Sequence, residues 1–327
     1  MGLVLLLGAG FCAPAGLPLG AKLFDGSVVA HSKRAARDVQ RTLSAWEAWR
    51  AKHPGDAAEE FISRVYESDS LESAALWPSL VRFLGYRLAQ PFATFGRYDG
   101  KTSRWRDNIF EARLCVAHEV WWDSILRFAM PAERLTVMTT NWDIWVERAL
   151  RPRAMQRPYR PGFNYGYGAE RLAATTAYPR SAWRKDPQVS GSVPVLKLHG
   201  SLNWAVENNE LVRYGDLRPA FRGDAAIVPP TKRKATPRWL SDIWRQAAVA
   251  LTTADKLVMV GYSLPEYDEE VYRLLREGLC ERLPPVHVFD PNVDKVVRRL
   301  TRLLPGVSVI SHPGLPEGLS EIASVFA

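Results

Sequence analysis

The chain has 327 residues, 47% of them hydrophobic and 24% charged, a profile that lets it bury a large core as one elaborated α/β domain or a domain with a substantial insert. Forty-three Lys and Arg against 35 Asp and Glu leave a formal charge of +8, which suits nucleic acid, acidic partners or an anionic small molecule and selects none of them. The three cysteines, Cys12, Cys115 and Cys280, lie far apart, which excludes a disulfide framework and a paired-thiol zinc ribbon and fits a reducing cytoplasm.

The apolar run Leu3-Val4-Leu5-Leu6-Leu7 predicts a buried strand, and it ends in Gly8-Ala9-Gly10-Phe11-Cys12-Ala13, a G-x-G-x-x-A turn. In dinucleotide-binding folds the first glycine permits the tight bend, the second admits a pyrophosphate close to the backbone, and the small third position lets the next segment pack. A strand that merely closes in a glycine turn has the same pattern, so the motif needs support from elsewhere in the chain. No Lys or Arg precedes Lys22, Gly8 interrupts the run, and Phe11 before Cys12 disfavours a lipoprotein cleavage site, so residues 1–10 read as mature protein. The run is also too short to span a bilayer.

From about Ala30 to Met130 the spacing is helical, with Phe61, Val65, Leu80, Phe83 and Leu84 at repeating apolar positions, and no convincing strand appears. Leu135 to Thr139 predicts a second strand. Residues from about Arg151 to Ser192 are rich in Pro, Gly, Tyr and Arg and read as an irregular segment covering a cleft. Val193 to Leu198, Leu257 to Val260, Val286 to Phe289 and Val307 to Ile310 predict four further buried strands. After Gly261, the acids Asp268, Glu269 and Glu270 open a helix that keeps Tyr267, Val271, Leu274 and Leu275 on one face. This alternation predicts an α/β fold: a Rossmann-like, doubly wound parallel sheet of about six strands with a large helical insertion after the first. Residues 1–29 and 131–327 form the nucleotide-binding domain in this reading, 30–130 the inserted helical module, and 151–192 the cleft-covering segment.

Ligands of such sheets lie beyond the carboxyl ends of the strands, so the polar residues just after each run are the candidates. Asn141, in Thr140-Asn141-Trp142-Asp143, offers a donor and an acceptor to a sugar hydroxyl or a water, and Asp143 can accept from an amide; either can instead cap the helix through Glu147. His199 follows the third run and is itself followed by Gly200, which leaves one side of the ring open to a ligand, while a structural hydrogen bond is the plainer role. Gly261 and Ser263 stand at a strand-to-helix turn that suits phosphate; Asp290 suits ribose hydroxyls and Asn292 an adenine or ribose edge, and turn formation explains both places equally well. The other histidines lack this setting, and no metal-ligand spacing joins them. The basic runs Lys232-Arg233-Lys234 and Arg298-Arg299 are short and read as solvated surface.

Taken in order, these motifs resemble the sirtuin superfamily, in particular the sirtuin-like proteins of prokaryotes. Gly8-Ala9-Gly10-Phe11-Cys12-Ala13-Pro14-Ala15-Gly16-Leu17-Pro18 is similar to the family's G-A-G-x-S-x-x-S-G-I-P loop. Thr139-Thr140-Asn141-Trp142-Asp143 is similar to T-Q-N-I-D, His199-Gly200 to the catalytic H-G pair, and Gly261-Tyr262-Ser263-Leu264 to the G-T/Y-S-L turn. The chain departs from the family where Leu19-Gly20 replaces a Phe-Arg pair, where Cys12 and Ala15 replace serines, and where Ser201-Leu202-Asn203-Trp204 follows without the four zinc cysteines.

The resemblance implies NAD+ as substrate, no zinc, and hydrolysis of the nicotinamide N-glycosidic bond to nicotinamide and ADP-ribose in antiphage defence by NAD+ depletion. It implies Asn141 and His199 as the catalytic residues. Asp143 would hold the carboxamide, and Gly8, Ala9, Gly10, Phe11, Cys12, Pro18, Thr140, Gly261, Ser263, Asp290 and Asn292 would contribute to the cofactor site. The alternatives are an NAD-dependent protein deacylase or ADP-ribosyltransferase, and a non-catalytic NAD or ADP-ribose sensor. A homo-oligomer or a defence-system partner is expected, nucleic acid only indirectly, and no membrane. Trp121-Trp122, Trp142 and Trp145 read as core packing.

Overall fold

Leu3 to Leu7 have no polar face, so the strand they form is stable only between two other strands and beneath cover on both sides. The structure, a computed structural model, describes residues 2–13, 16–25, 28, 33–93, 98–99, 104–105, 134–150, 163–165, 193–208, 210–214, 217–229, 236–314 and 325. In chain order its strands are β1 (Gly2–Leu7), β2 (Tyr98–Asp99), β3 (Arg104–Trp105), β4 (Arg134–Thr139), β5 (Phe163–Asn164) and β6 (Val193–Lys197). They continue with β7 (Gly200–Glu207), β8 (Glu210–Arg213), β9 (Ala225–Ile227), β10 (Lys256–Val260), β11 (Val286–Asp290) and β12 (Val309–Pro313). The helices are α1 (Ala9–Cys12), α2 (Lys33–Lys52), α3 (Ala58–Glu67), α4 (Leu71–Ala93), α5 (Trp145–Leu150), α6 (Arg218–Arg222), α7 (Ser241–Thr252), α8 (Glu269–Leu279) and α9 (Val293–Leu303).

The main sheet has the order β12-β11-β10-β1-β4-β6-β5, and every pairing in it is parallel. β1 lies at its centre, with Leu5 in register with Val137 on one side and Val258 on the other. β4 and β6 extend the sheet outward from β1 in one direction, and β10, β11 and β12 extend it in the other. This is the doubly wound arrangement, and the strand order reverses between β1 and β10.

The expected strands are present, with some differences. β12 begins at Val309 rather than Val307, because Ser308 instead offers its carbonyl to Val286 ahead of the ladder. The two-residue β5 adds a seventh strand at the edge. A separate antiparallel sheet, β8-β7-β9, follows His199 directly; β7 is buried from Gly200 to Trp204 on both faces, so it lacks the alternation that marks a half-buried strand.

Of the region 30–130, residues 33–93 form α2, α3 and α4, with Phe61, Val65, Leu80, Phe83 and Leu84 buried in one apolar cluster with the sheet residues, while 94–97, 100–103 and 106–133 lie outside the described residues. Phe24 stacks on Trp46 at 4.7 Å and on Phe83 at 5.2 Å, while Trp46 meets Phe61 edge-on at 5.5 Å. Each such ring, fully buried, is worth roughly 1.5–3 kcal/mol of transfer free energy. α2 is tied to α4 by Asp38, which accepts from Arg82 Nε at 2.7 Å, Arg82 Nη2 at 2.9 Å and Ser79 at 2.9 Å. The same region also contains the short antiparallel pair β2–β3, where no strand was expected.

The segment 151–192, apart from 163–165, lies outside the described residues, as do Pro14, Ala15, Cys115, Trp121-Trp122 and Lys232-Arg233-Lys234. Among the described residues no helix is long and apolar enough to cross a membrane.

Candidate functional site

The carboxyl ends of β1, β4, β10 and β11, with His199 just beyond β6, enclose a cavity of about 470 Å³. That volume falls within the range of roughly 300–1,000 Å³ usual for small-molecule sites. From the opening turn Ala9, Gly10 and Cys12 line it, with Pro18 from the loop beyond; Thr140, Asn141 and Asp143 line it from the end of β4. His199, Gly261, Ser263, Asp290 and Asn292 complete the predicted set on its walls. Gly8 and Phe11 are not on the walls: Gly8 lies behind Asn141, and Phe11 is buried in the core.

The glycines of the opening turn also join two strand ends. The Gly10 N–H donates to the Gly261 carbonyl at 2.9 Å, and the Gly8 and Phe11 N–H groups donate to the carbonyls of Val260 and Gly8. A Cβ on Gly8 would fall 2.5 Å from the Gly261 oxygen, and one on Gly261, whose φ is +60°, would fall 2.2 Å from the Phe11 nitrogen. The two strand ends therefore interlock backbone to backbone, while Gly10 and Gly261 both line the cavity. Gly200 is a second such case: its φ is +75° and a Cβ there would meet the Ala226 carbonyl, so the residue packs closely against β9.

Asn141 is buried, and its side-chain nitrogen donates to the Gly8 carbonyl at 3.0 Å and approaches the Cys12 sulfur at 3.4 Å. Those contacts fix which end of the amide is which. They leave Oδ1 with no partner among the described residues. Asp143 does act as a local helix brace, accepting the Trp145 N–H at 2.8 Å, yet it also lines the cavity. Burial raises its pKa against the pull of the Lys197 charge. Burial and the neighbouring Asp143 charge also push the Cys12 thiol well above its usual range, so it sits as a protonated donor 3.8 Å from Asp143.

His199 Nε2 faces Asp268 Oδ1 at 3.3 Å, and both side chains are almost fully buried. The other oxygen of Asp268 accepts the Tyr262 hydroxyl at 2.6 Å. Burial and the adjoining Asp268 charge raise the Tyr262 pKa well above the ordinary tyrosine range, which keeps that hydroxyl a donor. On the adjacent turn Leu264 adopts φ +49° while fully buried, its carbonyl bound by the Tyr272 hydroxyl at 2.8 Å and by Arg299 at 3.1 Å. Arg299 also donates to the Ser263 carbonyl at 3.0 Å, so this strained turn is held from behind. Asp290 accepts the Asn292 N–H at 2.7 Å, which closes the turn predicted there while both residues line the cavity.

Beneath the β4 loop Lys197 is fully buried, with its ammonium 3.0 Å from Glu147 and donating to the Asp143 carbonyl. Tyr165 donates to the same Glu147 oxygen at 2.9 Å, and Glu147 Oε2 has no partner among the described residues. Glu59 from α3 joins the cavity wall beside Tyr267, and burial raises its pKa.

No known family profile matches the sequence, and no curated protein matches it. Among solved structures, the chain is similar to a mutant Sir2 homologue in complex with ADP-ribose, at 15% identity and a TM-score of 0.38, over 99% of this chain and 90% of that one. It is similar to a Sir2 in complex with the inhibitor EX-527, 2′-O-acetyl-ADP-ribose and a deacetylated peptide, at 17% identity and a TM-score of 0.37, over 92% of each chain. A Sir2 mutant with a peptide and NAD matches at 15% identity and a TM-score of 0.41, over 99% and 91%.

In the sequence Asp268 is a helix-opening acid, and Tyr262 and Glu59 carry no separate signal of a site. A lysine inside the buried run Val193 to Leu198 is the one signal that could have exposed this network, because an ammonium at that place requires a buried acceptor. Among the described residues the cavity wall carries four carboxylates, Glu59, Asp143, Asp268 and Asp290, and no Lys or Arg. Chemically it offers one imidazole, the amides of Asn141 and Asn292, carboxylates and the Thr140 and Ser263 hydroxyls, a set suited to acid–base work on a hydroxyl-rich ligand rather than to neutralising charge with cations.

Proposed function

We propose that the protein cleaves the nicotinamide N-glycosidic bond of NAD+, giving nicotinamide and ADP-ribose. The observation that carries this reading is that Asn141 and His199 border one cavity, at the switch point of a doubly wound sheet and beside the opening glycine turn. The cavity suits a dinucleotide on its own chemistry: a glycine-lined end with the Ser263 hydroxyl for phosphates, and Asp290 with Asn292 for ribose and adenine edges.

Departure of nicotinamide leaves positive charge developing on the ribose, so the site must stabilise that charge and direct a nucleophile to one face. The Asn141 amide, pinned by Gly8, orients a ribose hydroxyl or a water through Oδ1. His199 takes the proton of that hydroxyl or water, a contribution typically worth about 10²–10⁴-fold in rate. Asp143 accepts from the nicotinamide carboxamide and places the leaving group. The carboxylates around the ring favour the cationic end of the substrate and the charge that forms on it.

The sequence resemblance extends this reading to NAD+ depletion in antiphage defence within the cytoplasm, with activity held off until a homo-oligomer or partner protein triggers it. The test is chromatography of NAD+ incubated with the purified protein and no acyl peptide. Nicotinamide and ADP-ribose appear with the wild type and are lost in Asn141→Ala and His199→Ala; release only upon addition of an acylated protein would favour deacylation instead.

A further inference from the structure

We infer that Asp268, held by Tyr262, is a positioning residue that fixes His199 with Nε2–H directed at its carboxylate, leaving Nδ1 as the basic atom. The chemistry rests on the proposed cleavage of NAD+; the tautomer rests on the geometry of this cluster.

Asp268 occupies the N-cap position of α8, where an aspartate ordinarily accepts from the first N–H groups of its own helix. It makes no such bond. One oxygen instead accepts the Tyr262 hydroxyl at 2.6 Å, the other lies 3.3 Å from His199 Nε2 as an ion-pair contact, and all three residues line the cavity. A buried carboxylate needs donors; among the described residues Tyr262 supplies its hydrogen bond, and His199 Nε2 is the basic group within ion-pair reach. Neutral imidazole carries one N–H and one lone pair, so pointing Nε2–H at Asp268 leaves the lone pair on Nδ1, which has no partner among the described residues. Among the described residues the other ionisable groups on the wall are Cys12, Glu59, Asp143, Asp290 and Tyr267, and no Lys or Arg stands there to compete for Asp268.

In the reaction Nδ1 accepts the proton as an O–H bond of the attacking water breaks. The oxygen bonds to the anomeric carbon, and the glycosidic electron pair leaves with nicotinamide. His199 then bears both N–H groups and a positive charge, which Asp268 stabilises from the Nε2 side without taking the proton. Tyr262 belongs to the Gly261-Tyr262-Ser263 turn, so one bond ties the orientation of the base to the turn assigned to phosphate.

The test is ¹⁵N NMR of the imidazole of His199 in the full chain, assigned by difference with His199→Ala. The wild type is expected in the Nε2–H form. Asp268→Asn, whose amide would donate to Nε2, is expected in the Nδ1–H form with nicotinamide release lowered about 10²–10⁴-fold in kcat, KM for NAD+ unchanged. In a His199→Ala background the same change costs nothing further, whereas a purely structural role costs activity or folding in both. Tyr262→Phe, which keeps the ring, should lower kcat several-fold without unfolding. A wild-type ring in the Nδ1–H form, or a tautomer indifferent to Asp268→Asn, overturns the inference. Expected tautomers in a protein that releases no nicotinamide would leave the positioning intact and overturn the function.

Discussion

Gly10 and Gly261 touch backbone to backbone, the N–H of one donating to the carbonyl of the other at 2.9 Å, and this contact locks the ends of β1 and β10 together at the point where the sheet reverses. Asn141 hangs from the same knot through Gly8, so the geometry of the cavity depends on it.

Gly261→Ala is expected to destabilise the fold and to disturb the site together. Its φ of +60° disfavours any side chain and its Cβ would sit 2.2 Å from the Phe11 nitrogen. The conformational cost alone is about 1–3 kcal/mol, and the clash adds to it. Thermal unfolding should show a Tm lowered by about 4 °C or more; an unchanged Tm would mean that the two turns need not approach so closely.

Lys197→Met should be among the most damaging single changes. It leaves Glu147 charged and buried with the Tyr165 hydroxyl as its remaining donor, and breaking a buried pair in this way costs about 3–5 kcal/mol. The double variant Lys197→Met with Glu147→Leu should recover at least half of the loss in urea denaturation, because it removes the stranded carboxylate as well. A double variant no more stable than the single one would contradict this account of the pair.

Part of this architecture could be read directly from residues and part could not. Continuous aliphatic runs such as Leu3 to Leu7 announce strands covered on both faces, and the polar residues after them fall on one cavity because parallel strands share one carboxyl edge. β7 escaped notice because it is buried on both faces yet carries Ser201 and Asn203, whose polar groups are satisfied internally: the Ser201 hydroxyl donates to the Asn203 side chain at 2.6 Å, and Asn203 donates to the Tyr214 carbonyl at 2.9 Å. Asp268 looked like an ordinary helix-opening acid; only the fold brings it against a histidine from another strand.

Stability should fall with acid through His287. Burial, then the charges of Lys256 and His312, lower its pKa from 6.5 to about 4. The unfolded chain therefore takes up the proton first, so the contribution of the neutral ring is fully present above pH 6.5 and is lost as the pH falls towards about 4. His287 and His312 approach at 3.1 Å between ring nitrogens, and a second proton on this pair has no acceptor within it. Chemical denaturation between pH 7.5 and 4.5 should give a shallower decline for His287→Gln than for the wild type; equal slopes would remove His287 as the cause.

Asp38 adds acid sensitivity at lower pH. Burial alone would raise its pKa, but the hydrogen bonds from Arg82 and Ser79 outweigh burial and set it below 3.8. Its contribution is present above the unfolded value and disappears as the pH falls through the folded one. Asp38→Asn should lower stability at neutral pH and flatten the limb below pH 4, and a variant with the wild-type acid profile would show that the α2–α4 tie carries no such linkage.

The most direct measurement of the central claim is the product profile of NAD+ incubated with the wild type, Asn141→Ala and His199→Ala, each confirmed folded by its thermal transition. The account predicts nicotinamide and ADP-ribose from the wild type without any acyl peptide, and at least about a hundredfold less from either variant. Full nicotinamide release by His199→Ala would contradict it.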